Sequence, residues 1–194
     1  AQACMEAAKG GFYASHVYNP YFFQGTKTFA YEVAENLGWN APDALVLPVG
    51  NGTLFLGASI GFKELKESGV VDKVPALIGV QAEHCAPLAK AMDEASDEPA
   101  AIQGKPTLAE GIAIAEPARG KEILAAARDS QGFLVTVDET AIKEARQAMS
   151  RQGFYIEPTS SVVPAALDLL GDRLGGFETV VAAFSGHGLK VAGK

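Results

Sequence analysis

Residues 50–53 read Gly-Asn-Gly-Thr, between an apolar run and an apolar helical pattern. Glycines at 50 and 52 allow a sharp turn and let a ligand approach the backbone. The next residues open a helix, whose first N–H groups have no intrahelical acceptor and lie at the positive end of the helix dipole. Such a place suits an anion such as phosphate, and Thr53 adds a hydroxyl donor. Two better-known phosphate loops do not fit. No lysine follows the glycines, as GxxxxGK[ST] requires, and Phe55 takes the third glycine position of GxGxxG. On its own the loop is read as an ordinary strand-to-helix turn with glycines for close packing.

Two further loops carry groups capable of chemistry. Ser185 ends an apolar run, between Phe184 and Gly186, where a small hydroxyl can meet a ring nitrogen of a flat cofactor. His187, between glycines, is read either as functional or as a histidine bonded to nearby backbone. Residues 157–161, Glu-Pro-Thr-Ser-Ser, read as a helix start capped by Thr159 or Ser160. Glu157 stays open as a carboxylate placed near a ligand.

The elements that must position these groups alternate along the chain. Strands are expected at 12–17, 44–49, 76–81, 132–137, 153–157 and 179–184, with a short apolar run at 111–115. Helices are expected at 26–37, 53–66, 85–94, 117–128, from Asp138 as N-cap to about 152, and 160–170. The helix from Thr53 is rich in small residues, as a close helix contact requires. Near-continuous apolar strands alternating with helices predict an α/β fold: a three-layer αβα arrangement around a twisted, mainly parallel sheet. Ligands of such sheets bind at the carboxyl ends of the strands, where all three loops fall.

Composition narrows the function. Acids outnumber bases by 23 to 16, for a net charge of −7, and the bases do not cluster; nucleic acid and anionic membranes are poor partners for such a chain. The two cysteines, Cys4 and Cys85, make no disulfide framework and no metal spacing, and read as reduced, buried thiols of a cytoplasmic protein. No metal site is expected. No apolar run reaches the about 20 residues that cross a bilayer. The opening residues have no initiator Met and no signal-peptide pattern, and read as the end of a helix stopping at Gly10 and Gly11.

Taken together, Asn19-Pro20, residues 24–28 (Gln-Gly-Thr-Lys-Thr), the stretch from Val46 to Leu65, residues 110–117 (EGIAIAEP), 157–161 (EPTSS) and 184–190 (FSGHGLK) resemble the threonine synthases. More broadly they resemble the fold type II pyridoxal-phosphate enzymes. The matches keep their order along essentially the whole chain. The resemblance implies that Gly50, Asn51, Gly52, Thr53 and Leu54 hold the phosphate of pyridoxal 5′-phosphate through backbone N–H groups. It implies that Ser185 faces the pyridine nitrogen, that Gly111 runs beside the cofactor edge, and that Gln81 lines the pocket. The implied reaction converts O-phosphohomoserine to threonine and phosphate.

Two departures qualify the resemblance. The family's Schiff-base lysine, carried in an N-terminal Ser-Phe-Lys-Asp-type motif, has no counterpart here. Lys27 and Lys63 read as residues of solvated helix faces with buried stems, and Lys190 matches a family position with no such role. The expectation is therefore a C-terminal part of a longer enzyme, inactive alone, with residues 1–18 the tail of a small domain and 19–194 the large cofactor-binding domain. The missing N-terminal part is then a partner, alongside an amino-acid substrate and a second copy in a homodimer. Second, Phe22 stands where threonine synthases often carry an arginine suited to a phosphorylated substrate. A related ammonia-lyase or β-replacement enzyme, or a truncated domain that only binds a phosphorylated ligand, stays open.

Overall fold

The computed structural model describes residues 2–191. Strands β1 (Ala44–Pro48), β2 (Ala76–Ala82), β3 (Phe133–Val137) and β4 (Val180–Ala182) form one parallel sheet in the order β3-β2-β1-β4. The helices are α1 (Gln2–Ala7), α2 (Phe22–Thr26), α3 (Thr28–Asn36), α4 (Thr53–Glu67), α5 (Pro87–Asp93), α6 (Gly120–Asp129), α7 (Glu139–Arg151) and α8 (Pro158–Leu170).

Every residue of β1 and β2 is buried, which is why they read as unbroken apolar runs. Successive side chains point to opposite faces and divide the interior into two cores. Leu45, Leu47 and Leu77 pack with Phe55 and Phe62 of α4 and with Ile123 of α6. Val46, Ile78 and Val80 pack with Ile142 of α7 and with Val162 and Val163 of α8. The chain thus adopts the expected three-layer α/β architecture. Outside α4 lies α3, and the small residues of α4 mark the crossing. A Cβ on Gly61 would stand 2.6 Å from both the Ala30 Cβ and the Lys27 carbonyl oxygen.

The strand order sets the position of the site. From β1 the chain passes through α4 to β2 and onward to β3, while β4 joins the other flank of β1. The helix leaving β1 covers one face, and α8, which precedes β4, covers the other. Connections that diverge in this way open a crevice at the carboxyl ends of β1 and β4. The two strands pair from Ala44↔Val180 to Val46↔Ala182, and the Ala183 N–H continues the ladder to the Val46 carbonyl at 3.1 Å. At the amino end Asp43 ties β4 down: its Oδ2 accepts the N–H groups of Glu178 at 2.7 Å and Thr179 at 2.8 Å, and its Oδ1 pairs with Lys73.

Several expected elements differ. Residues 12–17 are irregular, with Phe12 79% exposed; a β-prone run without a neighbouring strand has nothing to pair with. Of residues 153–157 only Ile156 bridges, antiparallel to His187. The helix expected at 26–37 is α3, at Thr28–Asn36, and a short helix the sequence did not show, α2, precedes it and ends at Thr26. A 3₁₀ turn at Glu83–Cys85 precedes α5, which starts at Pro87. Asp138 caps α7 as expected, accepting the Ala141 N–H at 2.8 Å. Cys85 is buried, and burial pushes its thiol above the usual range, whereas Cys4 is exposed. No helix among the described residues is long and apolar enough to cross a membrane.

Candidate functional site

The β1 wall of the crevice is a single turn. The Val49 N–H still bonds the Val80 carbonyl, at 2.9 Å; beyond it the chain leaves the sheet. Gly52 is the N-cap of α4 with φ +73°, and no side chain caps the helix. The Leu56 N–H returns to the Gly52 carbonyl at 2.8 Å, so the first helical turn is closed and the earlier N–H groups face outward at its positive end. Both glycines are demanded by packing. A Cβ at Gly50 would lie 2.9 Å from the Ile112 Cα, and one at Gly52 would lie 2.3 Å from the Ile123 Cδ1. The turn is therefore packed closely at both glycines and presents main-chain donors at the start of α4. The chemistry of such a turn, main-chain donors at the positive end of a helix, fits a phosphate.

Gln81 bears on this wall from behind. It is fully buried, so it offers no surface to a pocket. Its Nε2 donates to the Val49 carbonyl at 3.2 Å, while its Oε1 accepts the N–H groups of Leu88 at 2.9 Å and Ala89 at 3.0 Å. One amide thus fixes the end of β1 and caps α5.

The β4 wall is assembled from distant segments. Ser185 is exposed at the end of the strand, and its Oγ lies 3.3 Å from the Oγ of Ser160. Ser160, fully buried, accepts the Gly186 N–H at 2.8 Å and donates to the Gly186 carbonyl at 3.1 Å. Neither Thr159 nor Ser160 is the helix cap, contrary to the sequence expectation. Glu157 occupies that position and Pro158 follows it, so the two hydroxyls are released for tertiary bonds. Glu157 packs its carboxylate on Gly186, where a Cβ would meet its Oε1 at 1.9 Å. His187 accepts the nearby Leu189 N–H on Nδ1 at 3.2 Å and stands edge-on to Tyr155, as a histidine bonded to local backbone.

The 3₁₀ turn at Glu110–Ile112 joins the walls. Ile112 packs on Gly50, and the Gly111 N–H donates to Thr159 Oγ1 at 3.2 Å. Beside it opens a cavity of about 480 Å³ lined by Gly111, Glu157 and Thr159, with Glu139 and Arg146 of α7. The structure therefore connects the 50–54 turn to Gly111 through Ile112, Gly111 to the start of α8 through Thr159, and that helix start to residues 185 and 186 through Ser160 and Glu157, and leaves Gln81 behind the β1 wall. Sequence reading missed Thr159 and Ser160 as site builders. The only signal was their place in the 157–161 motif; their partners are far away in the chain.

Lys27, Lys63 and Lys190 are engaged elsewhere. Lys27 is not on a solvated face but between α3 and α4, with Nζ 2.9 and 2.8 Å from the two Glu64 oxygens. The Glu64 carboxylate holds its ammonium above the usual lysine range. Lys63 pairs with Asp129 at 2.9 Å and Lys190 with Glu157 at 3.5 Å. Phe22 stacks on His16, ring centres 5.0 Å apart. No group of three or more His, Cys, Asp or Glu that could hold a metal ion occurs among the described residues.

A family model described as pyridoxal-phosphate dependent enzyme matches residues 1–186. Threonine synthase of Methanosarcina acetivorans is 35% identical over 175 residues, covering 89% of this chain and 43% of the relative. Threonine synthase of Synechocystis sp. is 36% identical over 178 residues, with the same shares. Among solved structures, a threonine deaminase from T.th. aligns with a TM-score of 0.68 at 25% identity, covering 88% of this chain and 59% of that one. An L-serine ammonia-lyase of Rhizomucor miehei shares the fold, with a TM-score of 0.73 at 19% identity, over 87% of this chain and 53% of its own. The chain spans less than half the length of the curated relatives it matches.

Proposed function

The chain belongs to the pyridoxal-phosphate dependent enzyme family, and from that premise we propose that it is the cofactor-binding part of a threonine-synthase-like lyase that converts O-phosphohomoserine to threonine and phosphate. The cofactor is pyridoxal 5′-phosphate, which supplies an electron sink for the amino-acid carbon when bound. The observation that supports the proposal is that β1, which leads into an uncapped helix start on glycine backbone, lies parallel beside β4, which leads to Ser185. Relatives carrying the name threonine synthase at 31–36% identity support the reaction class.

In this proposal the N–H groups of the 50–54 turn hold the phosphate, and Gly111 leaves room beside the ring edge. Ser185 meets the ring nitrogen. Its hydroxyl has no charge to keep a proton there, which would suit loss and replacement of a substituent. Glu157 faces the amino-acid substrate from the cavity wall. Phe22 offers no charge to the substrate phosphate, which must be met by other groups.

The lysine that engages the cofactor aldehyde comes, in this proposal, from outside these 194 residues, and the chain alone is inactive. Such a lysine must be desolvated and lowered in pKa; Lys27, Lys63 and Lys190 are ion-paired instead. In this proposal residues 19–194 belong to the large domain, a reading supported by both cores being built from residues 23–183, and residues 1–18 belong to a smaller one. The complete protein should release phosphate and threonine from O-phosphohomoserine; release of neither removes the proposal. For this chain, borohydride reduction with pyridoxal phosphate should label no lysine stoichiometrically, and a single fully labelled lysine would refute the assignment.

A further inference from the structure

Ser160 touches Ser185 without being part of its strand. Its Oγ lies in the first turn of α8, has no solvent contact, and meets three groups: the Gly186 N–H at 2.8 Å, the Gly186 carbonyl at 3.1 Å and the Ser185 Oγ at 3.3 Å. Resting on the placement of Ser185 given above, we infer that Ser160 is a positioning residue that holds the Ser185 hydroxyl as a hydrogen-bond donor toward the ring nitrogen of the bound cofactor.

A hydroxyl has one proton and two lone pairs. One lone pair of Ser160 takes the Gly186 N–H, so its own proton has two acceptors within reach, the Gly186 carbonyl and Ser185. The Gly186 carbonyl already accepts the Glu157 N–H at 3.0 Å. When the Ser160 proton goes to Ser185, a lone pair of Ser185 is occupied from behind and its own proton points away, into the crevice. An unprotonated ring nitrogen is an acceptor and completes that chain. The opposite arrangement turns the Ser185 proton back onto Ser160 and leaves only lone pairs for the ligand, which suits a protonated nitrogen. Ser160 thereby couples the direction of the Ser185 hydroxyl to the protonation of the ring.

The backbone around Ser160 matches this role. Pro164 lies inside α8. It has no N–H to return to the Ser160 carbonyl, so that helical bond is missing at Ser160. Ser160 makes no helix-capping bond. Its hydroxyl bonds only to residues 185 and 186, which places its side-chain polar function at the crevice wall.

The test uses this chain with pyridoxine 5′-phosphate, which has the ring and the phosphate but no aldehyde, and so needs no lysine. The ring nitrogen of the bound ligand is titrated by ultraviolet absorbance. In Ser160→Ala the midpoint should rise by about half to one pH unit, the worth of one hydrogen bond to the neutral nitrogen. In a Ser185→Ala background the same replacement should move it no further, because Ser160 acts through Ser185. Inorganic phosphate should compete equally well in every variant, since the 50–54 turn is untouched. Ser160→Cys, which keeps most of the volume but donates weakly, serves if the alanine variant does not fold. A midpoint unchanged by removal of Ser160, or shifted equally in both backgrounds, overturns the inference alone. If the parent chain takes up neither pyridoxine 5′-phosphate nor inorganic phosphate, the functional proposal falls first and this inference goes with it.

Discussion

On the β1 side of the crevice the wall is one continuous turn, residues 50–54, shaped by glycine backbone and closed by the first turn of α4. On the β4 side the wall is drawn from segments far apart in the chain. Ser160 and Glu157 at the start of α8 grip residues 185 and 186 through one hydroxyl, one carboxylate and one backbone bond. The first wall is specified by two glycines at which packing leaves no room for a side chain. The second is specified by what its side chains reach. A ligand spanning the two would meet main-chain N–H donors at one end and a hydroxyl at the other.

The largest effect should come from breaking the β1 wall. Gly52→Ala forces a side chain onto a left-handed backbone and against Ile123, and should cost about 2–4 kcal/mol by chemical denaturation. A loss below about 1 kcal/mol would show that the turn relaxes freely and is not a rigid cradle. On the β4 wall, Gly186→Ala places a Cβ on the Glu157 carboxylate and should cost about 1–3 kcal/mol. Unlike Gly52, Gly186 has no positive φ, so its cost is steric alone, and Glu157→Ala should relieve much of it. If the double variant is as unstable as Gly186→Ala, the carboxylate contact is not what demands glycine there.

Smaller effects test the supports. Asp138→Ala removes the α7 cap and should cost about 1 kcal/mol in the thermal or chemical midpoint, without changing phosphate binding at the crevice. At neutral pH the last effect is invisible. The Asp43 carboxyl is lowered from 3.8 to about 2, first by Lys73, then by the Thr179 and Glu178 N–H groups. A folded value below the unfolded one stabilises in full above about pH 4 and is lost as pH falls toward 2. Unfolding monitored against pH should therefore be flat in this contribution from about pH 7 to about 5 and weaken below about 4. In Asp43→Asn that acid limb should flatten. An unchanged acid limb would mean that Asp43 does not anchor β4.

The same contrast explains what the sequence could tell. The turn at 50–54 was legible because glycine spacing and a following helix are local facts, and β1 and β2 were legible because burial on both faces leaves a nearly unbroken apolar run. The 12–17 and 153–157 runs carry the same β-prone composition, yet their fate depends on whether a neighbour arrives, which no local pattern encodes. Thr159 and Ser160 look like caps because hydroxyls at a helix start usually are. Pro158 and Glu157 occupy the first positions and free them, and only the tertiary structure shows that their partners are Gly111, Ser185 and Gly186. Gln81 stands at the end of a strand, where a pocket residue would stand, but its amide is turned inward to Val49 and α5.

The strand that leads to Ser185 is the slightest in the sheet: three residues, none fully buried, paired with β1 alone. Peeling away this edge would leave β1, β2 and β3 stacked between their helices, so the crevice can come apart in a local opening that costs far less than global unfolding. A molecule seated across both sides would act as a clasp on the sheet margin, with every increment of its affinity reappearing as resistance to that opening.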